Sequence, residues 1–247
     1  MKDNLSKVII EDFGNEWETY NQNVISNDEL RTLFNYYFDN FPFHLIGKKS
    51  IGFDMGCGSG RWAKLMAPKV KKLYCIEPSK KAIKAAKIDL NENNNCLFEN
   101  KDVFSNSIPS ESQDFGYCLG VLHHISDTQK GLNECVKKLK KGAPFLLYLY
   151  YKFDNKPLWF KLIWRISDVF RKCISIMPFR LKLLITFFIA SFIYYPLARL
   201  SYILERIGFK VENIPISSYR KTSFYTMKTD ALDRFGTKLE KRFTKSE

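Results

Sequence analysis

The sequence predicts a doubly wound α/β domain between a helical N-terminal lead-in and a helical C-terminal extension. Short apolar runs alternate with helical patterns over residues 50–151, and a glycine-rich loop follows the first of these runs. Apolar residues make up 45% of the 247-residue chain, which is enough for a real core and excludes a fully disordered protein. Strands that alternate with helices imply right-handed crossovers and a mostly parallel sheet with helices on both faces.

Three segments follow from these patterns. Residues 1–47 form an aromatic-rich, helical lead-in, and residues 48–151 form the α/β domain. Residues 152–247 form a basic, aromatic helical extension. In the extension, apolar residues at helical spacing predict two or three amphipathic helices over 156–207, and 211–216 is the only strand-like run.

Within the α/β domain, each element has its own local signal. Short apolar runs predict strands at 51–54, 73–77, 96–99, 115–119 and 143–151. Helices are predicted over 61–67, where Pro68 ends the helix, from the N-cap Ser79 to about residue 90, and over 128–140.

The most informative segment is the loop after the first strand, which contains Asp54, Gly56, Gly58 and Gly60. Glycines there allow a ligand to approach the backbone closely, and the start of the next helix offers N–H groups to a carboxylate or phosphate. A phosphate-binding P-loop would need Lys and then Ser or Thr after Gly60, but Arg61 and a tryptophan follow. A dinucleotide fingerprint counted from Gly56 would need its third glycine at Arg61.

The loop instead reads D-x-G-x-G-x-G and resembles that of the class I S-adenosylmethionine-dependent methyltransferases, closest to the type 11 group. Other segments in the family's order support the resemblance, namely Glu77 at the end of the second strand, Asp102-Val103 after the third, GVLHHI at 120–125 and LKKG at 139–142. Ala143 departs from the family pattern by replacing a second glycine. The resemblance covers about residues 45–151 and implies a Rossmann-like sheet, methyl transfer, and S-adenosylmethionine as the cofactor.

The resemblance also implies a cofactor site. It places Glu77 on the ribose hydroxyls and the loop of Asp102 at the adenine. The implied cofactor-binding residues are Asp54, Gly56, Gly58, Gly60, Glu77, Asp102, Val103 and Leu119. The alternatives are that Asp54 satisfies loop amides, that Glu77 is a solvated strand end, and that Asp102 belongs to an ordinary polar loop.

Two adjacent histidines are the candidate catalytic bases. Methyl transfer is an in-line displacement, and it needs a proton acceptor when the acceptor atom carries O–H or C–H. His124, and after it His123, follow the fourth strand and can take that role, because imidazole titrates near neutral pH. On an extended segment the two side chains point to opposite sides, so we expect only one to face the pocket. The alternative is that the pair packs at a helix start and satisfies backbone groups.

Acceptor contacts are predicted in the two flanking segments. In related methyltransferases a helical N-terminal segment covers the pocket, which makes Trp17 and Tyr20 candidates for such a lid, against plain core packing. The aromatic residues from 34 to 43 are expected in the core. The chain after the fifth strand often closes over the acceptor in this class. Tyr219, Arg220 and Tyr225 are therefore candidate acceptor contacts, against an ordinary solvated loop.

The positive charge is concentrated in the extension. Residues 1–151 hold 20 basic and 18 acidic side chains and residues 152–247 hold 19 and 8, so the total of +13 divides into +2 and +11. The uncharged run 183–198 would span ~24 Å as a helix, short of the ~30 Å hydrocarbon core, and Pro196 interrupts its end. We expect a buried or interfacial helix, either in a subdomain packed on itself or on an anionic membrane surface. Nucleic acid is disfavoured, because no RNA-binding motif appears.

The cysteines and the N-terminus bear on the compartment. The six cysteines form no C-x-x-C pair and do not cluster with the three histidines, which fits neither a metal site nor a disulfide framework. The first twenty residues lack an apolar signal core. We expect a cytoplasmic protein that binds no metal, with peripheral attachment to the cytoplasmic face of a membrane as the alternative location.

Residues 242–247 look like the cap of the helix that precedes the last two strands of the family fold. We therefore expect the terminal antiparallel hairpin to be missing, with an unprotected sheet edge as the consequence. The predicted function is methyl transfer from S-adenosylmethionine to a small-molecule or lipid-like acceptor. The alternatives are an RNA methyltransferase and a non-catalytic cofactor-binding or membrane-adaptor protein.

Overall fold

A computed structural model describes residues 7–20 and 24–247 and divides into two compact units. The first unit contains the chain up to Tyr150 together with Leu239–Arg242. The second contains Tyr151–Lys238 and Phe243–Glu247. The helical lead-in therefore shares a unit with the sheet, and the chain returns to that unit briefly near its end.

The first unit is an α/β structure with short helices. Its helices are α1 Lys7–Thr19, α2 Asn27–Tyr37, α3 Ala63–Met66, α4 Lys80–Asp89 and α5 Thr128–Lys138. Its strands are β1 Ile51–Met55, β2 Lys72–Ile76, β3 Cys96–Glu99, β4 Phe115–Leu119 and β5 Phe145–Tyr148. Single 3₁₀ turns cover Phe43–Leu45, Ala67–Lys69 and Leu122–His124.

The five strands form one parallel sheet in the order β3-β2-β1-β4-β5. The doubly wound α/β prediction is confirmed, although β5 is shorter than the predicted run 143–151. The strand order reverses between β1 and β4. In such sheets, ligands bind in the crevice at the carboxyl ends of the two strands that flank this reversal.

Two glycine–phenylalanine pairs fix the register of β1 against β4. Gly52 pairs with Phe115, and Phe53 pairs with Gly116. A Cβ at either glycine would lie 2.3 Å from the partner's ring, so each glycine makes room for a buried phenylalanine of the neighbouring strand. This register places Asp54 opposite Tyr117, one residue before the end of β1.

The lead-in helix α2 completes the core on one side of the sheet. Its N-cap Ser26 accepts the Glu29 N–H, and its aromatic face is buried. Phe34 and Phe38 stack with ring centroids 4.2 Å apart, and Phe38 packs edge-on against Tyr117 of β4. The expectation that the aromatic residues in this region belong to the core is confirmed for these two.

The second unit is helical, and its helices are α6 Leu158–Ser175, α7 Phe179–Ile189, α8 Tyr195–Arg206 and α9 Phe224–Gly236. A π-helical stretch, Ala190–Tyr194, joins α7 to α8, so Phe179–Arg206 is one helix of 28 residues. The prediction that Pro196 interrupts the helix is wrong. Pro196 lacks an N–H and its ring crowds the carbonyl four residues earlier, and the wider π turn directly before it accommodates both.

Two other local predictions are corrected. Pro68 does not end a helix over 61–67, because α3 begins at Ala63 and the proline lies inside the 3₁₀ turn that follows. Residues 211–216 form turns and not a strand. Residues 242–247 lie outside the helices, and the Thr244 N–H donates to the Glu247 carboxylate at 2.8 Å, which is the bond expected of the helix cap that these residues resemble. Among residues 7–20 and 24–247, no terminal hairpin pairs with the sheet.

Candidate cofactor site

The glycine loop leaves β1 in a conformation that side chains disfavour. Gly56, Gly58 and Gly60 all have positive φ, at 81°, 54° and 88°. A Cβ at Gly56 would also lie 2.3 Å from the side chain of Val121, in the turn after β4. Glycine is therefore required there both for the turn and for its close approach to the end of β4.

Glu77, directly after β2, accepts hydrogen bonds from two segments, the glycine loop and the chain just before α4. One carboxylate oxygen accepts the Gly58 N–H at 3.0 Å, and the other accepts the Ser79 N–H at 2.8 Å. Burial raises the pKa of Glu77 to about 7, against the opposing effect of these two N–H donors. Each oxygen keeps a further lone pair, so the carboxylate can also accept ligand hydroxyls.

Asp54 is buried at the carboxyl end of β1. Its Oδ2 has no hydrogen-bond partner among the described residues, and neither has the hydroxyl of the adjacent Tyr117. Burial raises the pKa of Asp54 to about 8, and the nearby Glu77 carboxylate adds to this rise. A buried, unpartnered acceptor oxygen in this position indicates a site that is completed by a polar ligand.

The loop after β3 is closed by Asp102 itself. Its Oδ1 accepts the N–H groups of Phe104 and Ser105, at 2.9 and 2.8 Å, and the Ser105 hydroxyl at 2.7 Å. This is an Asx-type turn, the geometry expected of the polar-loop alternative. Val103 is buried beside it and Leu119 ends β4. The adenine contact of this loop stays a prediction.

The region that carries this geometry matches a known family. Residues 53–147 match the family model described as a methyltransferase domain. Over these residues the α/β domain is similar to the class I S-adenosylmethionine-dependent methyltransferases. S-adenosylmethionine is the cofactor of this family.

Similar proteins include an uncharacterized methyltransferase of Geobacillus sp. (strain WCH70), which is 30% identical over 133 residues, or 51% of this chain and 61% of the relative. The YcgJ protein of Bacillus subtilis is 22% identical with a TM-score of 0.45, over 60% of this chain and 58% of that one. A chain in the complex between the Haloferax volcanii Trm112 methyltransferase activator and a methyltransferase shares the fold, with 15% identity and a TM-score of 0.52 over 64% and 66% of the two chains. The chain spans about three fifths of the length of the first two relatives.

The residues of this methyltransferase domain fit the cofactor. The positive-φ glycines form a cradle in which a Cβ would fill the space at Gly56. The Asp54 oxygen lacks a partner there, and the Glu77 carboxylate lies across the loop from it. Acceptor oxygens of this kind suit the amine and hydroxyl donors of S-adenosylmethionine.

The two histidines of the methyltransferase domain are buried. They lie in a 3₁₀ turn with ring centroids 4.1 Å apart, so the expectation that they point to opposite sides is wrong. In a 3₁₀ turn successive side chains are rotated by about 120°, not by the 180° of a strand. His123 stacks on Tyr150 at 3.8 Å, and burial, His124 and Arg242 lower its pKa well below the usual value.

The segment Leu239–Arg242 lies against this histidine pair in the first unit. The Leu239 carbonyl lies 2.7 Å from His124 Nδ1, and the Lys241 N–H donates to the His123 carbonyl at 3.0 Å. A carbonyl can only accept, so Nδ1 of the neutral His124 ring carries the proton and Nε2 carries the lone pair. No pattern in the sequence indicates the contact of Leu239, because it joins residues 115 positions apart.

The helix α1 lies across the carboxyl edge of the sheet. The Trp17 ring would touch a Cβ at Gly58 at 3.0 Å, and the Arg61 guanidinium lies 5.5 Å from its centroid. At one side Phe13 packs on His124 with centroids 5.0 Å apart, and at the other α1 packs on α4. Trp17 thus covers the glycine loop, whereas Tyr20 is buried and lies where core packing would place it.

A cleft of about 360 Å³ opens beside the glycine loop in the first unit. It is lined by the start of α2, by the end of α4 and by the chain from Ser59 to Lys64, which includes Arg61. No three His, Cys, Asp or Glu side chains of the described ranges are grouped so that they could hold a metal ion.

The three predicted acceptor contacts of the extension have packing partners inside the second unit. Tyr219 packs on Tyr194 with centroids 5.5 Å apart. Arg220 donates to the Glu205 carboxylate at 2.7 Å, and Lys228 lies over the Tyr225 ring. Their role toward an acceptor stays a prediction.

Proposed function

We propose that this chain transfers a methyl group from S-adenosylmethionine to a small-molecule or lipid-like acceptor. One observation carries the proposal. At the carboxyl ends of β1 and β2, inside the region that matches a methyltransferase domain, Glu77 binds the Gly58 N–H and the buried Asp54 carboxylate keeps an oxygen without a partner. When bound, S-adenosylmethionine supplies an electrophilic methyl group on its sulfonium. The contribution of the protein is to bind, orient and exclude water.

In this proposal Glu77 and Asp54 accept hydrogen bonds from the cofactor, and the glycine loop lets its backbone come close to it. The Glu77 carboxylate is already held by two backbone N–H groups, so it needs little reorganisation to bind hydroxyls. Trp17 closes the loop as part of the lid, and Tyr20, buried directly after the same helix, is the second proposed lid residue.

His124 is the proposed base where the acceptor loses a proton. Its Nδ1 bond to the Leu239 carbonyl selects the tautomer whose Nε2 can accept that proton. His123 is the weaker candidate. It is fully buried, and burial lowers its pKa well below the usual value, so its ring accepts a proton less readily. Methyl transfer to an atom with an available lone pair would need neither histidine as a base.

We place the protein in the cytoplasm, attached peripherally to the cytoplasmic face of a membrane. The support is the +11 charge of residues 152–247 combined with their apolar helices. An RNA methyltransferase and a non-catalytic cofactor-binding or membrane-adaptor protein are the competing outcomes of the test below.

The test has two steps on the full chain. Calorimetry with S-adenosylmethionine is expected to show one-to-one binding, and Asp54→Ala is expected to weaken it. Labelled cofactor is then incubated with lipid, RNA and small-molecule extracts, and label is expected in the lipid or small-molecule fraction. Binding without label transfer would support the non-catalytic alternative, label in RNA the nucleic-acid alternative, and no binding would overturn the proposal.

A further inference from the structure

We propose that α6 and the continuous helix Phe179–Arg206 lie flat in one leaflet of an anionic lipid bilayer, with their outer apolar faces in the acyl layer. This inference deepens the membrane part of the proposed function. It rests on the proposed function only where it implies that the protein reaches a lipid-like acceptor. The surface itself is argued from the second unit alone. We call it the lipid face, and it consists of the outward side chains of these two helices.

The polarity of α6 is inverted relative to a helix on a water-soluble protein. Its polar side is buried: Arg171 is 5% exposed and donates to Asp168 Oδ1 at 2.7 Å and to the Thr237 carbonyl at 2.9 Å. Its exposed large side chains are apolar, namely Leu158, Trp159, Leu162, Ile163, Ile166, Val169 and Phe170. A surface helix in water places these two sides the other way round.

The helix Phe179–Arg206 has the same inversion. Its buried side chains are polar or small, namely Lys182, Thr186, Ala190, Ala198 and Ser201, together with Tyr194. Lys182 is 2% exposed and donates to the Gly236 carbonyl at the end of α9 at 3.0 Å. Its exposed large side chains are Leu181, Leu184, Phe187, Phe188, Phe192, Ile193, Tyr195, Leu200 and Ile203. Small and polar residues inside with large apolar residues outside is the packing of helices in lipid.

The basic side chains near the lipid face indicate that its partner is an anionic membrane. Five exposed basic residues lie on these two helices or just after them, namely Arg165, Lys172, Arg180, Arg206 and Lys210. Between 157 and 210 the acidic residues are Asp168 and Glu205, and both pair with arginines of the same unit. An apolar surface bordered by basic side chains and free of exposed carboxylates complements an anionic leaflet.

The position of α9 favours a helix in the membrane plane over one that crosses. By length and composition, Phe179–Arg206 could span a bilayer. However, α9 packs along α7 and carries Lys228, Asp230, Asp233 and Arg234. A crossing helix would carry these charges into the hydrocarbon, where ionisable groups are expensive, whereas an in-plane helix leaves α9 on the water side.

Cys173 provides a direct test, because it is exposed on the apolar side of α6 and the other five cysteines are buried. The full chain is purified in mild detergent, labelled at Cys173 with an environment-sensitive fluorophore, and mixed with phosphatidylcholine vesicles with or without phosphatidylglycerol. We expect co-flotation and a blue-shifted, brightened emission with the anionic vesicles. An impermeant maleimide is expected to react with unlabelled Cys173 several-fold more slowly once those vesicles are present.

Two variants on the lipid face, Leu162→Glu and Phe192→Glu, are expected to lower vesicle partitioning about tenfold each. Tyr36→Glu is the matched control, because Tyr36 is an exposed aromatic residue of α2 in the first unit; it is expected to leave partitioning unchanged. High salt is expected to weaken the preference for anionic vesicles, because it screens the exposed charges, while the binding that comes from apolar insertion persists; purely electrostatic docking would be lost altogether.

Absence of co-flotation, or equal partitioning of all three variants, would overturn this inference. Protection of Cys173 that depends on protein concentration and occurs without vesicles would also overturn it, in favour of a second copy as the occupant. Calorimetry with S-adenosylmethionine on the same samples separates the outcomes. Intact cofactor binding with failed insertion refutes the lipid face alone, and failed cofactor binding refutes the proposed function.

Discussion

At the residue scale, Glu77 links the glycine loop to the start of α4. The same carboxylate accepts an N–H from each, so the position of the loop depends on one side chain. A buried carboxylate without such donors would be strongly destabilised. The arrangement explains why an acidic residue at the end of β2 stabilises the loop before any ligand is considered.

Gly58→Ala is expected to weaken cofactor binding at least about tenfold, or about 1.4 kcal/mol. The alanine Cβ would meet the Trp17 ring at 3.0 Å, and its φ of 54° costs about 1–2 kcal/mol of stability. Gly142→Ala is the matched control, since Gly142 has a φ of 82° but open space around it. Both variants should melt earlier, and calorimetry should show an affinity loss for Gly58→Ala alone; equal losses would contradict the prediction.

The ligand-free protein is expected to lose stability as the pH rises from about 5 to about 8. In the unfolded chain Asp54 and Glu77 titrate at their ordinary pKa values of 3.8 and 4.5, but burial raises their pKa values in the folded chain to about 8 and about 7. Over that interval the folded chain binds more protons than the unfolded chain, so the free energy of unfolding falls. Thermal melts should show this slope.

Asp54→Asn should reduce the slope, because it removes one of the two raised pKa values. Asp114→Asn is the control, because the contribution of Asp114 to the change of stability with pH has the opposite sign. Despite some burial, bonds from Lys140 and the Ile51 N–H lower the pKa of Asp114, so its stabilisation is lost only in acid. An unchanged slope in Asp54→Asn would refute the assignment.

His124→Ala is expected to lower the methyl-transfer rate about 10²–10⁴-fold if His124 is the base. His124→Asn separates this role from packing, because the Asn amide can donate to the Leu239 carbonyl as Nδ1 does. Restored thermal stability without restored turnover would identify a base. His44→Ala, at an exposed histidine of the lead-in, is the control. Turnover at the wild-type level in His124→Ala would exclude the role.

At the element scale, α1 connects the ends of β4, β1 and β2 through Phe13, Trp17 and its packing on α4. Close packing at Gly14 contributes, since a Cβ there would lie 2.4 Å from the Ser79 hydroxyl. Lys81 of α4 also donates to Asn15 and Glu18 on exposed surface, where such bonds add little. The helix is therefore held mainly by packing over the cofactor loop.

Trp17→Ala is expected to raise the dissociation constant of the cofactor about tenfold while reducing stability by roughly 1 kcal/mol, because the ring is only half-buried. Tyr36→Ala on α2 removes an exposed aromatic residue at a distance from the loop and should change neither quantity. Calorimetry and thermal melts measure both effects. Unchanged affinity in Trp17→Ala would remove its role as a cover.

At the scale of the whole molecule, the net charge of +13 belongs almost entirely to residues 152–247. These residues carry apolar outer faces on α6 and Phe179–Arg206, a combination that suits a membrane better than a phosphate backbone. Excess RNA is therefore expected not to displace the chain from anionic vesicles at physiological salt. Flotation with and without RNA checks this, and displacement by RNA would favour the nucleic-acid alternative.

Local pattern was sufficient for much of the fold. The five strands and their parallel direction follow from short apolar runs that alternate with helices, and the glycine loop follows from residue types whose φ requirements are local. Helix continuity past Pro196 was not predictable, since a π turn depends on how the helix packs. The opposite orientation expected of His123 and His124 also failed, because a 3₁₀ turn replaced the extended segment.

The sequence by itself determined the class of the domain, the position of its cofactor loop and the uneven charge, because each is encoded by residues close together in the chain. Only the tertiary structure decided that Leu239 meets His124, that Trp17 covers Gly58, and that α6 buries Arg171 while exposing Trp159. The amphipathic pattern of a helix determines which of its residues share a face. Which face is buried depends on its neighbours, and α9 determined that for the second unit.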